Sequence, residues 1–319
     1  MTDGLRSAHH PEVGELELAA AEVPDATLAV MGLDAVGASQ WRIVWRRLVR
    51  HRLAVASFVV LVAIGFVTIF ADVFAPHGYA TQFLTNQLKP PGAGHWLGTD
   101  TLGRDELSRI IYGGRISLAV GFGVALSSGV IGTIVGSLAG FYGGRLDTLL
   151  MRVTDLFLSI PLLVILIIAA TLLGGTVLDI VAVLSLFFWM PLARIVRGVF
   201  LSLREKEFIE AARSIGASNT RIIVRHLLPN AIGPIIVNVT LAVAEAILIE
   251  SVLSFLGFGI QPPTPTWGNM LAESRDLATT APWLVWFPGL CILFTVLCVN
   301  FLGDGLRDAF DPTQDLIKR

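Results

Sequence analysis

The chain stays polar for about forty residues and then alternates long apolar runs with short polar intervals. A helix needs roughly 20 apolar residues to cross a bilayer core of about 30 Å. Six stretches reach that range, at residues 53–74, 116–142, 156–173, 180–200, 231–258 and 283–303. The spacing predicts an all-α, polytopic membrane protein with six transmembrane helices. Only a short turn region with Gly174 and Gly175 separates the third run from the fourth, which predicts a tight helical hairpin. Pro161 and Pro191 fall within these two runs and predict kinks.

Composition agrees with this pattern. Of 319 residues, 54% are apolar or aromatic and 15% are charged, against about a quarter charged in soluble domains. Mean hydropathy is +0.72. The net charge of −2, from 23 basic and 25 acidic residues, excludes a basic nucleic-acid footprint. Two cysteines supply neither a disulfide framework nor a structural zinc site. Cys291 and Cys298 lie seven apart, about 10 Å along a helix and too far for a disulfide, and are expected as buried thiols.

The few charges give the topology. With six spans and the N-terminus inside, eighteen basic residues fall in cytoplasmic segments and five outside. That asymmetry places both termini in the cytoplasm. Residues 1–40 hold seven acidic residues and the single basic Arg6, and read as a disordered cytoplasmic tail. Residues 41–52, with Trp41 and Trp45 interleaved among arginines, fit an interfacial basic helix or a plain positive-inside flank. The membrane-spanning core would then cover residues 53–319.

No catalytic constellation stands out. None of the three lysines, Lys89, Lys206 and Lys318, ends a Gly-rich phosphate loop, so ATP hydrolysis would need another subunit. The cytoplasmic segment 201–230 has the character of a docking element. Phe208, Ala211, Ala212 and Ile215 recur at spacings of three and four, which predicts a short amphipathic helix stopped by Gly216. Ser218 or Asn219 then caps a second helix through about His226, and Pro229 is expected to break it before the fifth span.

The stretch Glu210-Ala211-Ala212, Gly216, His226 and Leu228-Pro229-Asn230 resembles the EAA loop of ABC importer permeases. The resemblance implies a type I importer fold and a coupling helix that docks on an ATP-binding subunit. It assigns coupling to Glu210, Ala211, Ala212, Gly216, His226, Pro229 and Asn230. Three further stretches are similar to the C-type second subunit of the dipeptide/oligopeptide/nickel permeases: residues 95–105, residues 253–268, and Asn300 with 303–308 and Asp311-Pro312. The resemblance implies a second homologous permease, two ATP-binding subunits that hold ATP and Mg, an extracytoplasmic substrate-binding protein, and a bacterial plasma (inner) membrane location. It implies no cofactor on this chain. Peptide is the expected cargo, with nickel or glutathione as alternatives.

Two features bear on the transport path. Gly132, Gly136 and Gly140 form a small-residue ridge in the second run, a packing seam within the subunit or against a partner. Glu245 and Glu250 sit within the fifth run, where an ionisable group costs about 2.5–3.5 kcal/mol at a helix centre. Both are expected to face the bundle interior or an aqueous pathway. Glu245 is read either as a pathway residue for a cationic substrate group or as a packing glutamate. A different class of protein, an ion-gradient-driven secondary transporter, would use both as ion sites. In the outer loop Asp100, Arg104 and Asp105 are read as polar contacts or turn caps.

Overall fold

A computed structural model describes residues 40–173 and 175–311. The acidic tail expected over residues 1–40 lies, but for Gln40, outside the described residues, as do Gly174 and residues 312–319. The chain divides after Arg46 into two units. The described part of the first is the opening of α1 (Gln40–Arg50), where Trp41 and Trp45 are exposed.

The second unit is built from helices. Five helical runs are long and apolar enough to cross a membrane: α2 (Arg52–Ile69), α4 (Glu106–Tyr142), α7 (Val177–Arg204), the continuous run Asn219–Phe255, and α12 (Trp283–Phe310). Short helices connect them: α3 (Ala71–Phe74), α5 (Gly144–Leu158), α6 (Leu162–Leu173), α8 (Glu207–Ser214), α9 (Asn219–Ile222) and α11 (Trp267–Glu273). α10 (Leu228–Phe255) forms most of the long run.

Local chemistry sets many of the ends. His51 Nδ1 accepts the Ala54 amide and opens α2. Asp105 caps α4 through the Ser108 amide at 2.9 Å, and Thr176 with Asp179 closes a capping box on α7. α10 ends at Gly257 (φ +86°), where the Phe258 amide donates to Leu253 O and the Gly257 amide to Ser254 O. This is a Schellman stop.

α4 lies along α7, and the glycine ridge is the seam. Side chains added at Gly132, Gly136 and Gly140 would meet the carbonyl oxygens of Trp189, Ala193 and Arg197 at 2.7, 2.4 and 2.8 Å. Both rows repeat every four residues, so one ridge seats in the other and the backbones approach closely. Of the two partners open in the sequence, the ridge therefore meets this chain's own helix. α10 packs on both α4 and α12, and α2 on α12. The outer face of α2 keeps Val59, Val62 and Phe66 exposed, as a lipid-facing helix does.

Three expectations change. Residues 156–173 are not one continuous helix. α5 and α6 meet at an angle of 87° around Ser159, Ile160 and Pro161. Proline pushes the preceding Ile160 out of the helical region. The 12 residues of α6 reach only about 18 Å, so six spans are present only if the bent pair counts as one. Pro229 does not break the chain before α10. It lies in the first turn of α10, directly after a π-helical turn at Ile223–Leu227. In the first turn of a helix the amide that proline lacks would have no intrahelical partner, so the residue is tolerated there. Cys291 and Cys298 are free as expected but half-buried rather than buried.

Candidate functional site

The segment between α7 and α10 is a compact helix–turn–helix. α8 stops in a complete Schellman motif: the Ala217 amide donates to Ala212 O at 3.0 Å and the Gly216 amide to Arg213 O at 2.9 Å. Gly216 has φ +79° and open space around its Cα, so the need for glycine is conformational, not steric. Ser218 accepts the Arg221 amide and starts α9.

The apolar residues of α8 split between two faces. Ile209 and Ala212 are buried, at 0% and 5% exposure, in a core with Phe200, Ile222 and Leu227. Phe208, Ala211 and Ile215 point away from it, and Ile215 is 85% exposed. Ala212 therefore does not share an open face with Phe208, Ala211 and Ile215, as the repeat predicts. Ile209, which the sequence reading passes over, is the anchor. Its only signal is the three-residue step to Ala212, and in a segment this apolar that step fits either face. Arg213 lies over the Phe141 ring at 5.9 Å, and Arg204 Nη1 donates to Phe141 O at 3.1 Å. Both tie the segment to the end of α4. Glu210, Pro229 and Asn230 are exposed and His226 is half-buried. Asn230 Nδ2 donates to His226 O at 2.6 Å.

The two glutamates of α10 part company. Glu250 is completely buried. It accepts hydrogen bonds from Ser254 Oγ at 2.7 Å and Ser117 Oγ at 3.5 Å. These hydroxyls hold it inside the bundle, apart from the hollow that Glu245 lines. Glu245 is exposed on the wall of a hollow of about 240 Å³ between α4, α7 and α10. Asn238, two helical turns away on the same face, and Ser128 of α4 share that wall with Pro191 and Phe188 of α7. The hollow thus offers one carboxylate and two neutral polar groups in apolar surroundings. Asp147 and Asp155 of α5 pair with Arg197 and Arg194 of α7, holding the bent segment against the helix that forms one side of it.

At the other end of the bundle the two long loops are locked together. Asp100 Oδ2 accepts from Arg104 Nε at 2.5 Å and Arg109 Nη1 at 2.6 Å. Both guanidinium groups also donate to Glu273 Oε2 of α11, at 2.7 and 2.8 Å. Asp100 also accepts the Leu102 and Arg104 amides through Oδ1, so it is at once a turn cap and the centre of an ion network. Gly103 (φ +72°) passes so close to the Phe83 backbone that any side chain would collide with it. Trp267 is buried against α4 and donates through Nε1 to Ile110 O at 3.1 Å.

Residues 132–315 match the model of the binding-protein-dependent transport system inner membrane component family. Residues 39–91 match the N-terminal TM domain of oligopeptide transport permease C. The chain is 41% identical to a dipeptide transport system permease protein, DppC, of Alkalihalophilus pseudofirmus, over 86% of this chain and 90% of the relative. It is 39% identical to an oligopeptide transport system permease protein, OppC, of Bacillus subtilis over the same shares. It is 40% identical to a glutathione transport system permease protein, GsiD, of Pectobacterium atrosepticum, over 90% and 95%. Among solved structures, the inward-facing MetNI methionine ABC transporter shares the fold at 20% identity and a TM-score of 0.53, covering 64% of this chain and 96% of that one. The long bundle with its anchored helix–turn–helix, together with these matches, shows that the chain belongs to the family of inner-membrane permease components of binding-protein-dependent transport systems.

Proposed function

We propose that this chain is one of two non-identical permease subunits of an ATP-driven importer of peptides. The observation that carries the reading is the two-sided α8. Ile209 and Ala212 fix the helix to the bundle core, while Phe208, Ala211 and Ile215 remain open for a partner. An ATP-binding subunit that seats this stripe in a groove would move α8 together with α7 and α10, because the three share one apolar core. ATP and Mg then belong to two partner subunits, and no covalent chemistry occurs on this chain. The excess of basic residues in these segments supports a cytoplasmic position for α8 and both termini. The ion-locked loops at the other end would receive cargo from an extracytoplasmic binding protein.

Glu245 and the hollow around it are proposed to line the path and to meet the amino terminus of a passing peptide. The names of the relatives favour peptides as cargo, glutathione included. The decisive experiment is co-purification with the ATPase subunits, followed by ATP-dependent peptide uptake in proteoliposomes. Gly216→Val puts a β-branched residue at φ +79°, where such residues are strongly disfavoured. It is expected to abolish uptake, and full uptake in that variant would overturn the reading.

A further inference from the structure

The end of the bundle opposite α8 holds three metal-ligating side chains that neither the coupling segment nor the hollow uses. His77 follows α3, His95 lies in the loop before α4, and Asp105 is the cap of α4. One donor atom from each lies within 4.8 Å of the other two. His95 Nδ1 is 2.8 Å from Asp105 Oδ1, and His77 Nδ1 is 4.0 Å from the same oxygen.

The surrounding bonds orient this set. Asp105 Oδ2 accepts both the Ser108 amide and its hydroxyl, at 2.9 and 2.7 Å, which leaves Oδ1 aimed at the two imidazoles. The same Ser108 hydroxyl accepts the His77 amide at 3.0 Å. One serine therefore positions two of the three donors. The Phe83 ring packs against both histidines, with centroids 5.0 and 5.4 Å away. His77 Nδ1 is buried and has no hydrogen-bond partner among the described residues, although it lies 4.0 Å from a carboxylate oxygen.

We propose that His77, His95 and Asp105 form a site for one divalent transition-metal cation of the Zn²⁺ class, with water completing its coordination. Two imidazole nitrogens and one carboxylate oxygen form the donor set of an open, three-ligand zinc site. Calcium and magnesium prefer all-oxygen shells. Metal–ligand distances of about 2.0–2.1 Å set tetrahedral donors about 3.3 Å apart. The 2.8 Å pair therefore opens and the 4.0 Å pair closes by shifts on the order of 0.5 Å, and the two imidazole nitrogens, within 4.8 Å of each other, close by up to about 1.5 Å. His77, 30% exposed, has room to turn and leaves an entry route for the ion. With Nδ1 of His95 on the metal, its Nε2 carries the proton. Asn86, whose amide now stands 3.3 Å from that nitrogen, turns its oxygen to accept it. Ser108 and Asn86 then hold the ligands as outer-shell partners do.

The test is calorimetric titration of ZnCl₂ into the chelator-stripped, full-length chain co-purified with its partner subunits. The expected result is one Zn²⁺ bound per chain. Affinity should fall more than about 100-fold in His77→Ala and in His95→Ala, and stay unchanged when His9 and His10 are both replaced by alanine. Should the His95 variant not assemble, the partly exposed His77→Ala decides alone. Absence of stoichiometric binding, undiminished binding in His77→Ala, or loss of binding only in the His9/His10 variant would overturn the site and leave His95–Asp105 as a hydrogen-bonded pair.

Discussion

The Cα of Gly136 lies so close to Ala193 that a methyl group on it would sit 2.4 Å from the Ala193 carbonyl oxygen. Gly136→Ala therefore forces α4 and α7 apart, with an expected loss of about 1–3 kcal/mol. Gly65, in the lipid-facing α2, has nothing within 4 Å of that position. Gly65→Ala is expected to leave stability unchanged or raise it by up to about 1 kcal/mol. Thermal melting of the purified variants in detergent checks both, and equal effects would refute the seam.

Ile209 and Ile215 give a second contrast on one short segment. Ile209 is fully buried and Ile215 is 85% exposed. Ile209→Ala is expected to destabilise the chain by about 2–5 kcal/mol. Ile215→Asp is expected to keep the melting temperature while cutting ATP-driven uptake at least about tenfold, which corresponds to about 1.4 kcal/mol of lost docking. Uptake at wild-type rate in Ile215→Asp would show that the open stripe is not the docking surface.

Asp100 neutralises two buried guanidinium groups from inside the fold, whereas Glu273 reaches them from a side chain that is 28% exposed. Asp100→Asn should cost about 3–5 kcal/mol, because it leaves buried charge uncompensated. Glu273→Gln should cost less, since water screens that side of the network. Melting curves of the two variants rank them, and the reverse order would contradict the assignment.

Glu245→Gln keeps the shape of the hollow wall and removes its charge. Uptake of peptides with a free amino terminus is expected to fall about tenfold, the equivalent of about 1.4 kcal/mol. N-acetylated peptides, which lack the cation, should be unaffected. Identical uptake across both peptide classes would sink the pathway role.

Much of this protein is legible residue by residue. The apolar runs name the segments that leave water, and the stop at Gly216 follows from glycine's tolerance of positive φ. The caps at Ser218 and Asp105 follow from side chains that satisfy amides two or three residues on. Other features are not local. Pro229 reads as a breaker on its own, yet it sits in the first turn of α10, where it is tolerated. Arg109 and Glu273 meet across 164 residues, and no repeat or spacing links them. His77, His95 and Asp105 look unrelated until the loop folds back on α4.

By itself, then, the sequence determined which segments are apolar enough to cross a membrane, where many helices begin and end, and which segment resembles a coupling loop. Those properties depend on hydropathy and backbone preference over a few neighbouring residues. The tertiary structure decided which face of each helix is used. It set Gly136 against Ala193, turned Ile209 inward and Ile215 outward, and separated the sealed Glu250 from the open Glu245. A helical repeat lists the residues that share a face, but only close packing between helices distant in the chain selects the face that is buried.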